Sequence, residues 1–341
     1  MTGNAVARAG LDPAALPTGA QGPVSEQPTA GITSARIAAT YSTISPYIRR
    51  TPLLEIEFGA VSGRAVPSVH LKLEQLQVAG SFKARGAFAN LLLRELPAAG
   101  VVAASGGNHG VAVAYAAHRL GVPAAIFVPT ISAPEKIARI RALGAELVVA
   151  GDRYADALAG ADEHRDRSGA LAIHAFDQRE TLLGQGTVAL ELGQQLPSLD
   201  TVLVPVGGGG LIGGTAGYFG DSVRVVGVEP DQAPTLTYAR KAGRPTDAPA
   251  GGVAADALAP LRIGELVYPI ADRFVDDVVL VDDDAIAEAQ AALWNEARIL
   301  AEPAAAVGVA ALLTGAYLPS PGERVAVVIT GANLTPGVTG Q

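Results

Sequence analysis

The strongest constraint on the fold of this chain is a regular alternation between two kinds of segment. Short apolar runs, which predict β-strands, are separated by amphipathic stretches, which predict α-helices. The predicted strands are residues 69–73, 101–104, 124–128, 146–149, 171–174, 201–206, 223–228, 278–281 and 324–329. The predicted helices are residues 82–95, 110–120, 133–143, 154–167, 182–195, 284–299 and 304–313. Such alternation predicts an α/β fold with mainly parallel sheets and helices on both faces.

The composition narrows the class of protein. Of the 341 residues, 49% are hydrophobic and 17% charged, which permits a sizeable core and argues against wholesale disorder. The net charge is −8 and no basic stretch occurs, so nucleic acid and anionic membranes are poor partners. The sequence has no cysteine, which excludes disulfides and thiolate catalysis. Because no long apolar segment or signal pattern is found, we expect a cytoplasmic protein.

Two segments depart from the alternation. Residues 1–32 are rich in Ala, Gly, Pro and Thr without sustained periodicity, so we expect a mobile leader. Pro260, Pro269 and the pair Gly251-Gly252 predict a long irregular surface connection in the third quarter of the chain. In open parallel sheets, ligands bind where strands end, and four motifs lie at such places.

The first motif is the segment Gly80-Ser81-Phe82-Lys83-Ala84-Arg85-Gly86. Lys83 is one of only four lysines, and it stands among small and apolar residues at a predicted helix start. Desolvation and the helix N-terminus both disfavour an ammonium there, so the pKa of Lys83 should fall. A neutral amine is what imine formation requires. Taken alone, a lysine that extends from a helix surface is the more common arrangement.

The second motif, Ser105-Gly106-Gly107-Asn108-His109-Gly110, joins a predicted strand to a helix. Free backbone N–H groups at a helix start bind a carboxylate or phosphate, and Ser105 and Asn108 add side-chain donors. A glycine-rich turn with Asn108 as the helix cap explains the pattern equally well. His109 invites a catalytic role, although a histidine at a helix start is more often a structural donor.

The third motif, Val206-Gly207-Gly208-Gly209-Gly210-Leu211, also joins a strand to a helix. Four successive glycines let the backbone wrap an anion without interference from Cβ atoms. No Lys-Ser/Thr pair follows, and the next acid after a strand is Glu229, so neither a Walker A loop nor the dinucleotide fingerprint fits. We expect a single phosphate here, with a tight turn as the alternative.

The fourth motif, Thr330-Gly331-Ala332-Asn333, ends the last predicted strand. Thr330 can offer its hydroxyl to a ring nitrogen, although a threonine at a strand end is usually structural. Each motif is a weak signal by itself. Together with Glu302-Pro303, the four motifs occur in one order along the chain, and that combination is far more specific.

In this order the motifs resemble those of fold-type II enzymes that depend on pyridoxal 5'-phosphate (PLP). The most similar branch is that of the serine/threonine dehydratases and serine racemases, and the resemblance extends over about residues 35–337. It implies two open, mainly parallel α/β domains with the active site in the cleft between them. Residues 33–90 and 178–341 then form a large PLP-binding domain, and residues 91–177 form a small mobile domain.

The resemblance also implies a role for each motif. Lys83 carries PLP as a Schiff base and moves the proton at the substrate Cα. Phe82 is expected beside the cofactor ring, Asn108 as the donor to the phenolic oxygen, and the Thr330 hydroxyl at the pyridine nitrogen. The implied phosphate loop is formed by Gly207, Gly208, Gly209, Gly210 and Leu211. The substrate carboxylate is expected at Ser105, Gly106, Asn108 and His109.

The implied reaction is the dehydration and deamination of a small hydroxy amino acid, L-threonine or L-serine, to a 2-oxo acid and ammonia. A hydroxyl at Thr330 need not protonate the ring nitrogen, so it makes a weaker electron sink than an aspartate would, and this suits β-elimination. Racemases of this branch carry a second serine where this chain has Gly106, so we expect little racemisation.

Some relatives bind a divalent cation through a glutamate, a backbone carbonyl and an aspartate. Glu229 and Ala233 match the first two ligands, but the third position is Thr235, a poor ligand for a hard cation. We therefore expect no metal, with Glu229 and Ala233 as the candidate ligands if one binds.

Three alternatives stay open at this point. The same chemistry can act on a modified hydroxy amino acid, because Ala304-Ala305-Ala306 differs from the corresponding segment of relatives and can alter the pocket edge. An amino-acid racemase is the second alternative, and a non-catalytic PLP-binding protein is the third. In each case we expect a small amino acid as the ligand. We also expect a homodimer, because the family is usually dimeric.

Overall fold

The computed structural model describes residues 31–58, 68–130, 132, 134–258 and 260–334. All but the last two residues of the predicted leader lie outside the described residues, as does the first residue of the helix predicted at 133–143. No helix within these ranges is long and apolar enough to cross a membrane.

Strands and helices alternate along the described chain. The strands are Leu53–Ile56 (β1), Val69–Leu73 (β2), Val101–Ala104 (β3), Ala124–Val128 (β4), Glu146–Val149 (β5), Leu171–Ala172 (β6), Thr201–Pro205 (β7), Arg224–Pro230 (β8), Asp277–Val281 (β9) and Val325–Ile329 (β10). The α-helices are Ser34–Ile44 (α1), Lys83–Leu93 (α2), Asn108–Leu120 (α3), Pro134–Ala142 (α4), Tyr154–Ser168 (α5), Arg179–Gln195 (α6), Gly210–Phe219 (α7), Thr235–Ala242 (α8), Ala255–Leu258 (α9), Tyr268–Phe274 (α10), Asp283–Ala297 (α11) and Pro303–Thr314 (α12).

Two sheets organise these elements. The larger has the strand order β1-β2-β10-β7-β8-β9, and the smaller has the order β5-β4-β3-β6. Among the strands that the structure describes, only β1 runs antiparallel to its neighbour, and every other pair is parallel. The structure therefore confirms the predicted α/β fold with mainly parallel sheets.

Helices cover both faces of each sheet. Along β10, Val325, Val327 and Ile329 join the core that contains α11 and α12, whereas Ala326 and Val328 join the core that contains α6, α7 and α10. The smaller sheet packs α2 and α3 on one face and α5 on the other. A strand that is buried on both faces needs apolar residues at every position, which explains the unbroken apolar runs in the sequence.

Six of these elements were not predicted from the sequence, because their apolar patterns are interrupted: β1, α1, α7, α8, α9 and α10. The predicted irregular surface connection is partly wrong, because α9 and α10 lie within it and Ile263 and Val267 are buried in the core. Pro269 stands in the first turn of α10, where the missing N–H costs no helical hydrogen bond. Strand β6 ends at Ala172, two residues before the predicted end.

A fully buried cluster of four charged side chains anchors α2. Arg85 donates to Glu74 and Glu191 at 2.7 and 2.9 Å, and Lys72 on β2 donates to Glu191 at 2.7 Å. Burial opposes the charge on Glu191, but the Arg85 and Lys72 cations hold its pKa below the usual range. The cluster ties α2 to β2 and α6, and it thereby fixes Lys83, the residue that begins α2.

Replacement of Arg85 by methionine should destabilise the protein by about 3 to 5 kcal/mol, because two buried carboxylates lose their shared cation. Chemical denaturation at neutral pH measures the loss. Arg273→Met, which removes an exposed ion pair with Asp221, is the matched control and should change stability little. The difference between Arg85→Met and the wild type should shrink as the pH falls through the lowered pKa of Glu191. Equal stabilities for the two variants would contradict the role of the cluster.

Candidate active site

The lysine segment lies against the end of β10, so the first and fourth motifs meet. The backbone N–H of Phe82 donates to the carbonyl oxygen of Thr330 at 3.1 Å, and that of Ala332 donates to Gly80 at 3.1 Å. Between these bonds, Ser81 and Gly331 form a bridge. Because β10 is a central strand of the larger sheet, Lys83 starts from a rigid position at its carboxyl end.

The amine of Lys83 has the environment that the sequence predicts. Its Nζ donates to the carbonyl oxygen of Ala175 at 2.8 Å and lies 5.2 Å from the centroid of the Phe82 ring. Burial lowers the pKa of Lys83 to about 8, because no described anion offsets the loss of solvent. At pH 7 about a tenth of such amines are neutral, against far less than 1% for an ordinary lysine.

The four glycines form a buried turn between β7 and α7, with Gly209 in the left-handed region at φ +88°. The loop's carbonyl oxygens are tied back, since Gly207 accepts from the Thr235 hydroxyl at 2.7 Å, Gly208 from Gly264 N–H at 3.1 Å and Gly209 from Gly213 N–H at 2.8 Å. Within the described residues, the backbone N–H groups of residues 207–212 have no acceptor. Free N–H groups arranged in this way suit an anion, and we call residues 207–212 the cradle.

Phe176 connects this cradle to the lysine. A Cβ atom at Gly208 or Gly210 would collide with Phe176, so both positions require glycine. Phe176 directly follows Ala175, whose carbonyl oxygen accepts from Lys83. His174 fixes this turn, because its Nδ1 accepts from the backbone N–H of Asp177 at 2.8 Å. The first and third motifs thus share one short segment that the sequence did not single out.

Asn108 is the first residue of α3 and does not cap the helix, so the helix-cap alternative is wrong. Its Nδ2 donates to Glu302 Oε2 at 2.7 Å, and its Oδ1 accepts from Asn333 Nδ2 at 2.7 Å. These two bonds fix which way the amide faces, and the second N–H of Nδ2 has no acceptor among the residues that the structure describes. Ser105 Oγ accepts from the backbone N–H of Gly107 at 3.1 Å and shapes the turn before the helix.

Glu302 and Asn333 belong to the site, although no role was predicted for either. Glu302 is only 3% exposed, and burial raises the pKa of its carboxyl. Its Oε1 accepts from the backbone N–H of Asn333 at 3.1 Å. Asn333 Oδ1 also contacts Arg139 of α4. The acid directly before Pro303 at the start of α12 was the visible signal, but its partners lie far away in sequence.

His109 is a buried, neutral side chain. Burial is the main cause that lowers its pKa to about 3, and the neighbouring positive charge of Lys83 adds to the effect. Its Nε2 lies 3.0 Å from the carbonyl oxygen of Ile173, to which it donates. This is the structural-donor role that the sequence left open. The contact with a substrate carboxylate stays a prediction.

Gly106 leaves space that another side chain fills. The Ser132 side chain lies where a Cβ at position 106 would project. A hydroxyl therefore lies beside the turn even though position 106 has no side chain. Ser132 lies in the segment between β4 and α4, and no local pattern connects it with the turn at Gly106.

The remaining predicted positions are also buried. Thr330 is 6% exposed and its hydroxyl has no hydrogen-bond partner among the described residues. Leu211 lies in the first turn of α7, and its side chain packs in the core. Ala304, Ala305 and Ala306 lie in the core that contains α12.

The candidate metal residues do not fit a cation. Glu229 Oε1 accepts from the N–H of Leu236 at 2.6 Å, and Oε2 accepts from the N–H and hydroxyl of Thr237 at 2.9 and 2.7 Å. The Glu229 carboxylate therefore accepts the free N–H groups in the first turn of α8. Thr235 brings no charge, and the carbonyl oxygen of Ala233 accepts from the N–H of Thr235 at 3.1 Å. Among the described residues, no group of three His, Cys, Asp or Glu side chains can hold a metal.

PLP fits the residues present. The unpaired N–H groups of residues 207–212 suit its phosphate, the amine of Lys83 suits its aldehyde, and the Thr330 hydroxyl is available to a ring nitrogen. Together with the two mainly parallel sheets, this site defines a PLP-dependent enzyme.

The sequence profile of the pyridoxal-phosphate dependent enzymes matches residues 44–331. The chain belongs to this family, and the predicted cofactor is confirmed.

Individual relatives agree with this assignment. L-threonine ammonia-lyase of Thermotoga maritima is 38% identical over 271 residues, which are 78% of this chain and 67% of that protein. Phenylserine dehydratase of Ralstonia pickettii is 37% identical over 307 residues, 87% of this chain and 92% of that protein. Maize serine racemase is similar in structure, with a TM-score of 0.83 at 30% identity over 89% of this chain and 94% of that one. The predicted resemblance to fold-type II enzymes is confirmed.

The lowered pKa of Lys83 predicts its reactivity. In the cofactor-free protein, the acetylation rate of Lys83 should rise with pH through a midpoint of about 8, because only the neutral amine reacts. Mass spectrometry of peptides after brief acetylation, at a series of pH values, measures this midpoint. Lys241, exposed on α8, is the internal reference for reagent decay. A Lys83 midpoint above pH 10 would contradict the inferred environment.

Proposed function

We propose that this protein is a PLP-dependent ammonia-lyase that acts on L-threonine or L-serine and yields a 2-oxo acid and ammonia. The observation that carries the proposal is the amine of Lys83, with its pKa lowered to about 8, in contact with the segment that packs on the anion cradle. The threonine ammonia-lyase relative supports the same reaction class.

The residues around Lys83 have separate tasks in this proposal. When bound, PLP supplies an electron sink for the charge that develops at the substrate Cα. Lys83 would hold the cofactor covalently, and its neutral amine would be the base for the Cα proton. The N–H groups of Gly208 to Leu211 would hold the phosphate, and the Asn108 amide would hold the phenolic oxygen. Phe82 would contact the ring, and the Thr330 hydroxyl would hold the ring nitrogen.

The turn before α3 is the proposed carboxylate site. Within the part of the chain that the structure describes, the N–H groups of Gly106, Asn108 and His109 have no acceptor, and their place at a helix N-terminus favours an anion. Ser105, Gly106, Asn108 and His109 surround that position, with His109 neutral and held from behind by Ile173. A carboxylate bound there, with the amine directed to the cofactor, leaves the β-carbon free for loss of its hydroxyl.

Domain organisation follows the two sheets in this proposal. All four strands of the smaller sheet lie between Val101 and Ala172, inside the segment 91–177 that we assign to the small domain. The strands of the larger sheet lie in the segments 33–90 and 178–341 that we assign to the large domain. A homodimer and a cytoplasmic location stay predictions from the family resemblance.

A modified hydroxy amino acid is the second candidate substrate. The relative that favours it is phenylserine dehydratase, since this chain spans 92% of that protein at 37% identity. Both candidates share the roles given above for Lys83 and the cradle. They differ only in the size of the group that the β-carbon carries.

A panel of hydroxy amino acids, with detection of 2-oxo acid and ammonia, decides between them. We expect turnover of L-threonine and L-serine that exceeds turnover of L-phenylserine by at least about 10-fold, a difference of about 1.4 kcal/mol in transition-state binding. Lys83→Ala should lose activity by about 1,000-fold or more, because both the covalent attachment and the base are removed. A Lys83→Ala protein with full activity, or a panel without turnover, would refute the proposal.

Racemisation tests the position of Gly106. We expect the wild type to form D-serine from L-serine much more slowly than pyruvate, because Lys83 is the one base that we assign to Cα. Chiral chromatography of the reaction measures the ratio of the two products. Ser132→Ala is the informative variant, and the ratio should not change. Loss of D-serine formation in Ser132→Ala would instead make the Ser132 hydroxyl a second base.

A further inference from the structure

Hydrogen bonds to the carbonyl oxygens of the glycine loop determine the direction in which its N–H groups point. Three successive carbonyl oxygens, those of Gly207, Gly208 and Gly209, each accept a hydrogen bond from the surrounding protein. In a planar trans peptide, the C=O of one residue and the N–H of the next point in opposite directions. A hydrogen bond to the Gly207 carbonyl oxygen therefore decides where the N–H of Gly208 points.

Of these three bonds, two come from the backbone and one comes from a side chain. Gly264 and Gly213 donate through their N–H groups to Gly208 and Gly209. Thr235 donates through its hydroxyl to Gly207 at 2.7 Å. A side-chain donor can be lost by substitution, whereas the backbone donors cannot. Among the three donors, Thr235 is therefore the one whose substitution can change the orientation of the loop.

Thr235 is itself held by Glu229. The threonine is fully buried at the start of α8, and its Oγ1 lies 3.1 Å from Glu229 Oε1. Glu229 also accepts from the N–H groups of Leu236 and Thr237, so it fixes the first turn of the helix that carries Thr235. The Thr235 hydroxyl has one proton, which it donates to the Gly207 carbonyl oxygen at the shorter distance of 2.7 Å, so Glu229 holds Thr235 through the N–H groups of Leu236 and Thr237 in the same helical turn.

We propose that Thr235 is a positioning residue that aims the N–H of Gly208 at the phosphate of the cofactor. The Thr235 hydroxyl holds the Gly207 carbonyl oxygen, and the Glu229 carboxylate holds the helical turn that carries Thr235, so hydrogen bonds account for the position of the loop without a metal ion. The inference rests on the proposed role of the loop as the phosphate site. It adds a residue outside the loop, and a metal-independent means of holding it.

The test compares the affinities of two ligands, PLP and pyridoxal, which differ by the phosphate group. Thr235→Val keeps the shape of the side chain and removes the hydroxyl. We expect it to weaken PLP binding by about 10-fold, the loss of one buried hydrogen bond, and to leave pyridoxal binding unchanged. Titration of the cofactor-free protein, followed by the visible absorbance band, gives both dissociation constants. Thr235→Ala replaces it should Thr235→Val not fold.

Two control variants separate positioning from a general structural effect. Thr235→Ser keeps the hydroxyl and should bind PLP within about 3-fold of the wild type. Thr237→Val removes a hydrogen bond to the same Glu229 carboxylate without a contact to the loop, and it should also stay within about 3-fold. An equal loss of PLP and pyridoxal binding in Thr235→Val would overturn the inference, as would a Thr237→Val protein that matches it.

The outcomes also distinguish this inference from the proposed function. A wild-type protein that binds PLP no more tightly than pyridoxal would refute the phosphate role of the loop. If the wild type prefers PLP and Thr235→Val keeps the same preference, the role of Thr235 is refuted and the phosphate role of the loop stands. Mg²⁺ and EDTA should each leave the PLP affinity of the wild type unchanged, and a Mg²⁺-dependent rise would overturn the metal-independent part.

Discussion

The buried charge cluster of Lys72, Glu74, Arg85 and Glu191 is the constraint on which the site depends. It joins β2, α2 and α6 through bonds of 2.7 to 2.9 Å between groups with no exposure to solvent. Such clusters stabilise a fold less than their geometry suggests, because desolvation offsets much of the attraction. The main effect of the cluster is to fix the orientation of α2. Its partners accept Arg85 in one geometry, so the helix that starts at Lys83 cannot rotate or slide without leaving charges unpaired.

From that fixed start, the other parts of the site connect through few contacts. Lys83 reaches Ala175, the adjacent Phe176 covers Gly208 and Gly210, and the loop carbonyls are tied to α8 and Gly264. On the other side, Asn108 is held by Glu302 and Asn333. These contacts join residues that are far apart in sequence. The site is thus preorganised by hydrogen bonds to backbone and amide groups, which reduces the reorganisation that cofactor binding requires.

Most of the fold could be predicted from the sequence, and the reason is physical. Strands β3 and β4 were predicted at their observed bounds because burial on both faces demands an unbroken apolar run. Strands β2 and β5 were also predicted at their observed bounds, although β2 contains His70 and Lys72 and the ends of β5 are exposed. Strand β1 was missed because Leu54 and Glu55 are exposed at the sheet edge. Helix α7 was missed because glycines interrupt its apolar pattern. Lys83, Asn108 and the glycines were found from motifs. Glu302 and Asn333 also stand in motifs, but their contacts with Asn108 join residues far apart in sequence. No local pattern indicates the positions of Phe176 and Ser132 beside the site.

The pair formed by Gly106 and Ser132 has a consequence for how such a sequence can evolve. The two positions share one volume, because the side chain of Ser132 fills the space that a Cβ at position 106 would need. A side chain can therefore be gained at position 106 only after residue 132 has become smaller or moved away. The order of the two substitutions matters, and descendants of this chain with a larger residue at 106 should carry a compensating change at 132.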